Sequence, residues 1–391
     1  MTAMTVPTSL TGSPEHEAFR AAVRAFVENE INPNADAWEE AGTWPAHEVL
    51  PKLAALGALG LEYDEADGGQ GADHSYTVVL AEELGRADCA GVPMGIAVQA
   101  AMATPALARH GSPELKARYL APALRGELVC SIAVSEPDAG SDVGGIRTRA
   151  RRDGDDWVID GRKMWITNGS QADWVCLLAR TSDVPGYGGM SLIVVPTSTA
   201  GFSVGRLIKK MGNHSSDTAE LVLDGVRVPV SNTVGEPGQG FYLQMQQFQD
   251  ERLIGAYMAV SGARRAIDRT IDYLQQREAF GKPLMANQHL QYRLAELVAD
   301  VDVVHEYCLA AAARKVAGED VTRMATIAKL KAGRLARDVA DTAVQFHGGM
   351  GYAEDLWVAR YFRDTRLISI GGGADEVMLR VLALLEGMGR R

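Results

Sequence analysis

Cysteine is scarce in the sequence, and no two cysteines stand close together. The four that occur in 391 residues are Cys89, Cys130, Cys176 and Cys308, and none belongs to a CxxC pair. Neither a zinc site nor a disulfide framework is therefore indicated, and we expect no bound metal ion. Reduced, buried thiols of a cytoplasmic protein are the simplest interpretation.

Long apolar runs and an early cationic segment are also lacking. No apolar run approaches the roughly 20 residues that a membrane-spanning helix needs, and Arg20 is the first Lys or Arg. We therefore expect no membrane association and neither secretory nor mitochondrial targeting, which leaves a cytoplasmic location. Basic charge is low as well, because 39 Lys and Arg face 50 Asp and Glu, a net charge of −11. An acidic chain is a poor binder of nucleic acid, whose phosphates are held by cations.

Common nucleotide-binding and hydrolytic motifs are absent, with one short exception. The sequence contains no GxGxxG after a strand, no GxxxxGK[ST] and no HExxH, which argues against a Rossmann fingerprint, a P-loop and a zinc protease. Gly201-Phe-Ser203-Val-Gly205 does match GxSxG, the nucleophile elbow of serine hydrolases. That elbow needs a strand running directly into it and a helix leaving it. Neither is predicted here, so we interpret the match as chance and keep a hydrolase as the last alternative.

The hydrophobic period changes twice along the chain and divides it into three regions. Residues 1–128 have helical spacing, beginning with the start signal Ser13-Pro14. Residues 129–236 alternate as strands do, and residues 237–391 return to long helical stripes with short connections. The predicted fold class is α+β, with an N-terminal helical domain, a central antiparallel β-domain and a C-terminal four-helix bundle.

Two β-hairpins are predicted in the middle region, each with an Asp-Gly turn. Asp160-Gly161 separates two runs of strand-like residues, and Asp224-Gly225 does the same further along the chain. An Asp-Gly pair between such runs is the usual signal of a two-residue hairpin turn. Hairpins at this spacing favour a compact barrel or sandwich.

Four segments are more specific together than any one of them alone. They are Ala133-Val-Ser-Glu-Pro-Asp-Ala-Gly-Ser-Asp142, Met164-Trp-Ile-Thr-Asn-Gly169, Arg277-Glu-Ala-Phe-Gly-Lys-Pro283 and Gln345-Phe-His-Gly-Gly-Met-Gly-Tyr352. In this order, and with this sequence of helical and β regions, the chain resembles the acyl-CoA dehydrogenase family of FAD flavoproteins over about residues 13–386. The resemblance implies that family's three-domain fold, FAD as cofactor and an acyl-CoA thioester as substrate.

Each segment also suits a flavin site by its chemistry. Hydroxyls and glycines of the first segment can approach a polar ring edge or a phosphate, the flat indole of Trp165 can cover a ring, and the guanidinium of Arg277 can pair with a pyrophosphate. A loop closing the β-domain, a core tryptophan and a helix C-cap are the structural alternatives. The resemblance implies cofactor contacts at Val134, Ser135, Gly140, Ser141, Trp165, Thr167, Arg277, Phe280, Gln288, Gln345, Gly349 and Glu376.

The resemblance also assigns some of these positions to other tasks. The five that run from Arg277 to Gly349 would serve the FAD of a neighbouring subunit. A dimer is then the minimum, and most similar proteins are homotetramers, each a dimer of dimers. Ser141 would also contact the substrate, and Arg252 would contact its CoA part.

The catalytic carboxylate departs from the most common family pattern. Many members carry it in the loop after an RDxR segment, and the matching position here is Gly372, which has no side chain. The long-chain and isovaleryl branches instead place a Glu before an Arg on the first helix of the C-terminal domain, where this chain has Glu251-Arg252. The resemblance therefore implies Glu251 as the base that removes the α-proton, while the N–H of Gly372 and the FAD ribityl chain hold the thioester oxygen. An exposed helical acid is the structural alternative for Glu251, and Asp250 points about 100° away round the helix.

The implied reaction is the α,β-dehydrogenation of an acyl-CoA in fatty acid metabolism, with electrons passed to an electron-transferring flavoprotein. Because glycine at 372 would leave the pocket short of one side chain, we expect branched, medium or long acyl groups. A flavin oxidase or monooxygenase of the same fold, and a non-catalytic FAD-binding scaffold, remain as alternatives.

Overall fold

The computed structural model describes residues 10–184 and 186–389, and their order of helical, β and helical regions confirms the predicted fold. The N-terminal region contains helices α1 to α8: Pro14–Phe26, Ala35–Ala41, Ala46–Ala54, His74–Leu84, Gly91–Ala97, Pro105–His110, Pro113–Leu115 and Ala121–Leu124. The middle region contains strands β1 to β8: Cys130–Ala133, Arg149–Asp153, Asp156–Thr167, Trp174–Arg180, Met190–Pro196, Phe202–Leu207, Thr218–Pro229 and Thr233–Val234. The C-terminal region contains α9 (Gly240–Gln276), β9 (Glu278–Ala279), β10 (Lys282–Pro283), α10 (Gln288–Val316), α11 (Thr322–His347), α12 (Trp357–Thr365) and α13 (Asp375–Leu385).

The first helix begins as its sequence predicts. The hydroxyl of Ser13 accepts a hydrogen bond from the N–H of His16 (3.3 Å), and Pro14 occupies the first helical position. A capping hydroxyl satisfies one of the N–H groups that a helix leaves free at its start, and proline there loses nothing because its missing N–H would be unpaired anyway.

One helical stretch corrects the expectation that no long apolar run exists. Gly91–His110 is 20 residues long with a mean hydropathy of 1.3, but 83% of its most apolar window is buried inside the protein. Its central polar residue is fully paired there, since the Gln99 amide donates to the carbonyls of Ala123 (3.0 Å) and Leu128 (2.9 Å) and accepts from the N–H of Cys130 (2.8 Å). A buried amide whose partners are protein backbone is typical of a core helix.

The sheet of the middle region has the strand order β6-β7-β3-β2-β4-β5-β8, with β1 beside β4. Most neighbours are antiparallel as predicted, but β1 pairs with β4 in parallel, and β2 makes a single parallel register with β4. Strands β4 and β5 are the continuous apolar runs of the sequence and are buried along almost their whole length. Both faces of these strands are covered, which explains why nearly all of their residues are apolar.

The two predicted hairpins are wrong, because each Asp-Gly pair lies inside one long strand. Strands β3 and β7 pair with each other, and the register shifts between Ile159 and Gly161 where the two Asp-Gly pairs meet. The Asp160 carboxylate accepts a hydrogen bond from the N–H of Gly225 (2.8 Å), whose φ is +62°. A left-handed glycine can form a bulge as readily as a turn. Pairing between the two long strands therefore produces a bulge at these glycines rather than a hairpin turn.

The GxSxG match also lies in a strand. Ser203 is an exposed residue of the edge strand β6, and its neighbours Phe202 to Leu207 continue that strand. A nucleophile elbow needs a turn from strand to helix at the serine. The hydrolase alternative therefore has no structural support here.

The C-terminal helices pack round α11, which contacts α9, α10, α12 and α13. The long helical stripes predicted for residues 237–391 include those of α10 and α11. The longest element, α9, spans 37 residues and also packs against α4 and α5 of the N-terminal region. It connects all three regions, and Glu251 lies on it. The four cysteines are free and buried, as expected.

Candidate active site

The rotation of α9 is fixed by an ionic network on the side of the helix that faces the N-terminal region. The Asp250 carboxylate pairs with Arg109 (2.7 Å) and with Lys315, whose ammonium also reaches Glu62 (3.3 Å). These partners come from α6, α10 and the segment before α4. Since consecutive helical residues point about 100° apart, holding Asp250 in this network directs Glu251 to a different side of the helix.

Glu251 faces the glycine turn that precedes α13. Gly372 has a left-handed φ of +63°, and a Cβ built on it would lie 3.1 Å from Oε1 of Glu251. The carboxylate thus fills the space that a side chain at 372 would occupy. The expectation of extra room at this point is therefore wrong, because the helix acid has taken the place of the missing loop side chain.

The main chain of the glycine turn offers a hydrogen-bond donor beside this carboxylate. The N–H of Gly371 donates to the carbonyl of Leu367 (2.8 Å), whereas the N–H of Gly372 has no acceptor among residues 10–184 and 186–389. A preorganised N–H next to a carboxylate can hold an oxygen that gains negative charge. Glycine at 372 adopts this left-handed φ without the strain that a side chain would add.

The pKa of Glu251 is displaced toward neutral pH. Burial raises the pKa of Glu251 to about 7, and the positive charges of Arg252 and Lys329 oppose part of that rise. A carboxyl group in an apolar environment resists ionisation because water no longer solvates its charge. Its pKa therefore lies where a general base works near neutral pH.

Lys329 is a residue of this site that the sequence analysis missed. Its ammonium, on α11, donates to the carbonyl oxygen of Gly373 in the glycine turn, and the side chain is almost fully buried. Burial lowers the pKa of Lys329 to about 8, although the nearby charges of Asp375 and Glu251 oppose the fall. A signal was present in the sequence, since Lys329 interrupts the buried alanine stripe of α11 at helical spacing from Ala325 and Ala332.

The other charged candidates near the turn lie in different surroundings. Arg252 is buried, its Nε has no partner among the described residues, and burial lowers its pKa. Asp375 is turned toward Arg334 (3.5 Å) and Arg337 (3.8 Å), while Glu376 is exposed in the first turn of α13. Neither acid replaces Glu251 beside Gly372.

The strand segment with Trp165 presents an exposed aromatic surface. The indole is 57% exposed and its residue has a φ of +66°, which non-glycine residues rarely adopt. The register between β3 and β7 shifts at this point, and Thr167 is half-buried at the end of β3. Core packing of Trp165, the structural alternative, is therefore wrong. Unusual backbone at an exposed ring is typical of a functional site.

The first of the four segments is anchored by a buried ion pair that the sequence analysis also missed. The ammonium of Lys163 donates to the carbonyl of Val134 (2.8 Å) and to the Glu136 carboxylate (2.9 Å). That carboxylate also accepts from the main-chain N–H groups of Arg147 and Thr148, just before β2. Ser135 is half-buried beside this anchor. Gly140 and Ser141 are exposed further along the loop, and a Cβ on Gly140 would meet no atom within 4 Å.

The five positions expected to serve a neighbouring subunit are all on the surface of the C-terminal region. Arg277, Phe280, Gln288, Gln345 and Gly349 are exposed. Phe280 is 102% exposed with a φ of +55° and forms, with Gly281 at +75°, the two-residue turn between β9 and β10. Two consecutive left-handed residues make a type I′ hairpin turn. Their roles remain predictions.

Three family models match the chain in succession. They are the acyl-CoA dehydrogenase N-terminal domain over residues 13–127, the middle domain over residues 131–226 and the C-terminal domain over residues 238–384. The chain belongs to the acyl-CoA dehydrogenase family. Members of this family are FAD-dependent, and the predictions of an acyl-CoA dehydrogenase and of its FAD cofactor are thereby confirmed.

Individual relatives are similar over nearly their full length. The mouse long-chain specific acyl-CoA dehydrogenase is 36% identical, with 95% of this chain and 86% of that protein covered. A crystal structure of a putative acyl-CoA dehydrogenase from Mycobacterium smegmatis has a TM-score of 0.95 and 42% identity, covering 98% of this chain and 100% of that one. Butyryl-CoA dehydrogenase from Megasphaera elsdenii gives a TM-score of 0.91 and 32% identity, covering 95% of this chain and 98% of that one.

The residues of this acyl-CoA dehydrogenase fit a flavin. An exposed indole at Trp165 gives a planar ring a surface on which to stack, and the anchored main chain at Val134 and Ser135 gives a polar ring edge fixed hydrogen-bonding groups. The open backbone at Gly140 leaves room for a phosphate or sugar to approach.

Trp165→Ala should weaken FAD binding without unfolding the protein. Stacking of aromatic rings is worth about 0.5–1.5 kcal/mol, so we expect the Kd for FAD to rise by roughly 2- to 10-fold. Because the indole is largely exposed, the melting temperature of the FAD-free protein should stay the same. Flavin fluorescence titration of the FAD-free protein measures the first effect. Trp165→Phe, which keeps a ring, should retain most of the affinity, and equal loss in both variants would contradict stacking.

Proposed function

We propose that the protein dehydrogenates a medium- or long-chain acyl-CoA between Cα and Cβ, with Glu251 as the catalytic base. When bound, FAD supplies the acceptor for the hydride that leaves Cβ. The observation that carries the proposal is the contact of the Glu251 carboxylate with Gly372, in surroundings that raise the pKa of Glu251 to about 7.

The protein's own groups divide the proton chemistry between them. An ionised Glu251 oxygen takes the α-proton, and the C–H electron pair moves toward the thioester carbonyl. The free N–H of Gly372 is placed to donate a hydrogen bond to that carbonyl oxygen as it gains negative charge. Lys329 holds the turn that carries this N–H, so donor and base stay in a fixed relation.

A cavity beside the base accounts for the choice of acyl group. It has a volume of about 120 Å³ and begins at Gly255 and Ile368, one helical turn beyond Glu251. Apolar residues line its middle part, among them Pro93, Met94 and Met258. Such a cavity can hold the extended alkyl chain of a thioester whose Cα lies beside the Glu251 carboxylate.

The partners belong to the same proposal. The fully exposed Phe280 ring and its exposed neighbours suit a second copy of the chain, because a large apolar side chain gains by being covered. We propose a homotetramer, with Arg277, Phe280, Gln288, Gln345 and Gly349 facing the FAD of the adjoining subunit. Buried free thiols suit the reducing cytoplasm, which is the proposed location, and an electron-transferring flavoprotein is the proposed electron acceptor.

Anaerobic titration of the purified holoenzyme with acyl-CoAs tests the activity. Medium- and long-chain thioesters should bleach the flavin absorbance, and the colour should return on adding oxidised electron-transferring flavoprotein but only slowly with O₂. Rapid recovery with O₂ would identify an oxidase. Absence of bleaching with every thioester, in a protein that retains FAD, would contradict dehydrogenation and favour a scaffold.

Gly255→Leu should shorten the acyl chains that the protein accepts. A Cβ at 255 would meet only the tip of Ile368, at 3.3 Å, so the added side chain projects into the cavity rather than into backbone. Lost space for methylene groups changes kcat/KM by about 10-fold or more. We expect that fall for dodecanoyl-CoA, with butyryl-CoA as the internal control. Equal loss for both substrates would contradict this position for the acyl chain.

A further inference from the structure

The cavity ends in charged residues rather than in apolar ones. Along α9 its lining runs from Gly255 through Gly262 to Arg265 and Arg269. At a rise of about 1.5 Å per residue, Arg265 lies roughly 20 Å from Glu251 along the helix axis. The side chains of Arg265 and Arg269 are 23% and 33% exposed, so the far end is screened but not closed from water.

This far end has more cationic donors than anionic acceptors. Arg265 and Arg269 share one oxygen of Asp88, at 2.9 and 2.8 Å. A guanidinium has five N–H donors, so most of the donors on the two residues are not used by that oxygen. Burial lowers the pKa of Arg269, and the neighbouring positive charge of Arg265 lowers it further. A bound anion would therefore stabilise the two charged guanidinium groups.

The lining holds one further acid, Asp364, so what is in excess at this end is N–H donors rather than net positive charge. The Asp364 carboxylate lines the cavity, but its oxygens accept from the main-chain N–H groups of Ala90 (3.0 Å) and Asn213 (2.6 Å). Arg360 adds another cation close by, paired with Asp36, with Glu39 (3.9 Å) and with the carbonyl of Asp88. The hydroxyl of Tyr361, also in the lining, is buried without a partner among the described residues. The guanidinium of Arg269 lies over the ring of Trp357 at 4.2 Å, which keeps it in place.

We propose that the distal end of this cavity binds the terminal carboxylate of a long ω-carboxyacyl thioester. This inference rests on the proposed function, because it places the thioester of the same substrate beside Glu251. Arginine forks bind carboxylates through charge-assisted hydrogen bonds, and Tyr361 supplies one more donor. Arginine side chains lean back toward the helix N-terminus. The distance from Glu251 then corresponds to an acyl chain on the order of 12 to 16 carbons.

Binding of matched thioesters tests the assignment independently of turnover. Isothermal titration of the Glu251→Gln holoenzyme compares dodecanoyl-CoA with its ω-carboxy counterpart and with the ω-hydroxy one. We expect the ω-carboxy thioester to bind about 10-fold more tightly than dodecanoyl-CoA, the effect of one or two charge-assisted hydrogen bonds. The ω-hydroxy thioester should lie between them.

Substitutions then locate the effect. Arg269→Met and Arg265→Met should each remove most of the preference, whereas Arg264→Met should not, because Arg264 is exposed on the same helix and pairs with Asp268 at 3.1 Å. Asp88→Asn keeps the side-chain shape and removes the competing charge, so it should increase the preference.

Equal or weaker binding of the ω-carboxy thioester to the unsubstituted cavity would overturn the inference. So would a preference that survives both arginine substitutions, or one that falls in Asp88→Asn. Failure of the proposed function would be seen in a different experiment. In the wild-type holoenzyme, neither dodecanoyl-CoA nor its ω-carboxy counterpart would then bleach the flavin.

Discussion

Glu251→Gln should retain FAD and lose turnover by about 10³-fold, the contribution of a positioned general base. Glutamine has the shape of glutamate but cannot accept the α-proton, and the three atoms nearest to a Cβ built at Gly372 all belong to Glu251. Steady-state assays with dodecanoyl-CoA measure the loss, and the flavin spectrum of the purified variant measures cofactor content.

Stability gives a control for this variant. The folded pKa of Glu251 is raised from 4.5 to about 7, so the fold loses stability as the pH rises from about 4.5 to about 7, and a neutral amide removes that cost. At pH 8 the melting temperature of Glu251→Gln should therefore equal or exceed that of the wild type. Asp272→Asn, which neutralises an exposed acid on the same helix, should leave activity unchanged. Normal turnover in Glu251→Gln would exclude this residue as the base.

Lys329→Met should lower kcat/KM at pH 7 by about 10- to 100-fold. Without the Lys329 ammonium the turn that carries the Gly372 N–H is no longer held in place, and small misplacements of catalytic groups lower the rate strongly. It should also change the pH dependence. In the wild type, kcat/KM should rise with pH through about 7, as Glu251 ionises. The Lys329 ammonium lowers the pKa of Glu251, so its removal raises that pKa and moves the rising limb to higher pH.

A matched control separates this role from general damage to α11. Lys331 lies two residues away on the same helix and is exposed, so Lys331→Met should keep both the rate and the pH profile. The free energy of unfolding of the Lys329 variant should be about 1–3 kcal/mol lower, since the Gly373 carbonyl loses its hydrogen-bond donor. A lower rate with an unmoved rising limb would limit Lys329 to a structural role.

Much of the fold was predictable because it depends on local periodicity. The helical stripes of α10 and α11 and the apolar strands β4 and β5 follow from spacing that a single sequence displays. The Asp-Gly pairs misled because a turn and a bulge use the same left-handed glycine, and only the length of the paired strands β3 and β7 distinguishes them. Parallel pairing of β1 with β4 joins residues far apart in the chain, which local patterns do not record.

Residues of the candidate site that belong to a sequence motif could be predicted. Residues that join the site only through packing of distant segments could not. The juxtaposition of Glu251 and Gly372 was expected from the resemblance, and the structure brings these residues together. Lys329, Lys163 and the Asp250 network were missed, because a buried charge is recognised by its partners and those partners come from distant segments. The charged end of the cavity was missed for the same reason.

The most direct test of Glu251 as base is hydrogen exchange at Cα, uncoupled from hydride transfer. A 3-thiaacyl-CoA has α-protons but sulfur in place of Cβ, so it cannot be dehydrogenated. In D₂O, followed by proton NMR, the wild-type holoenzyme should exchange these α-protons for deuterium. Glu251→Gln should do so no faster than free solution, and exchange at the wild-type rate in that variant would contradict the account.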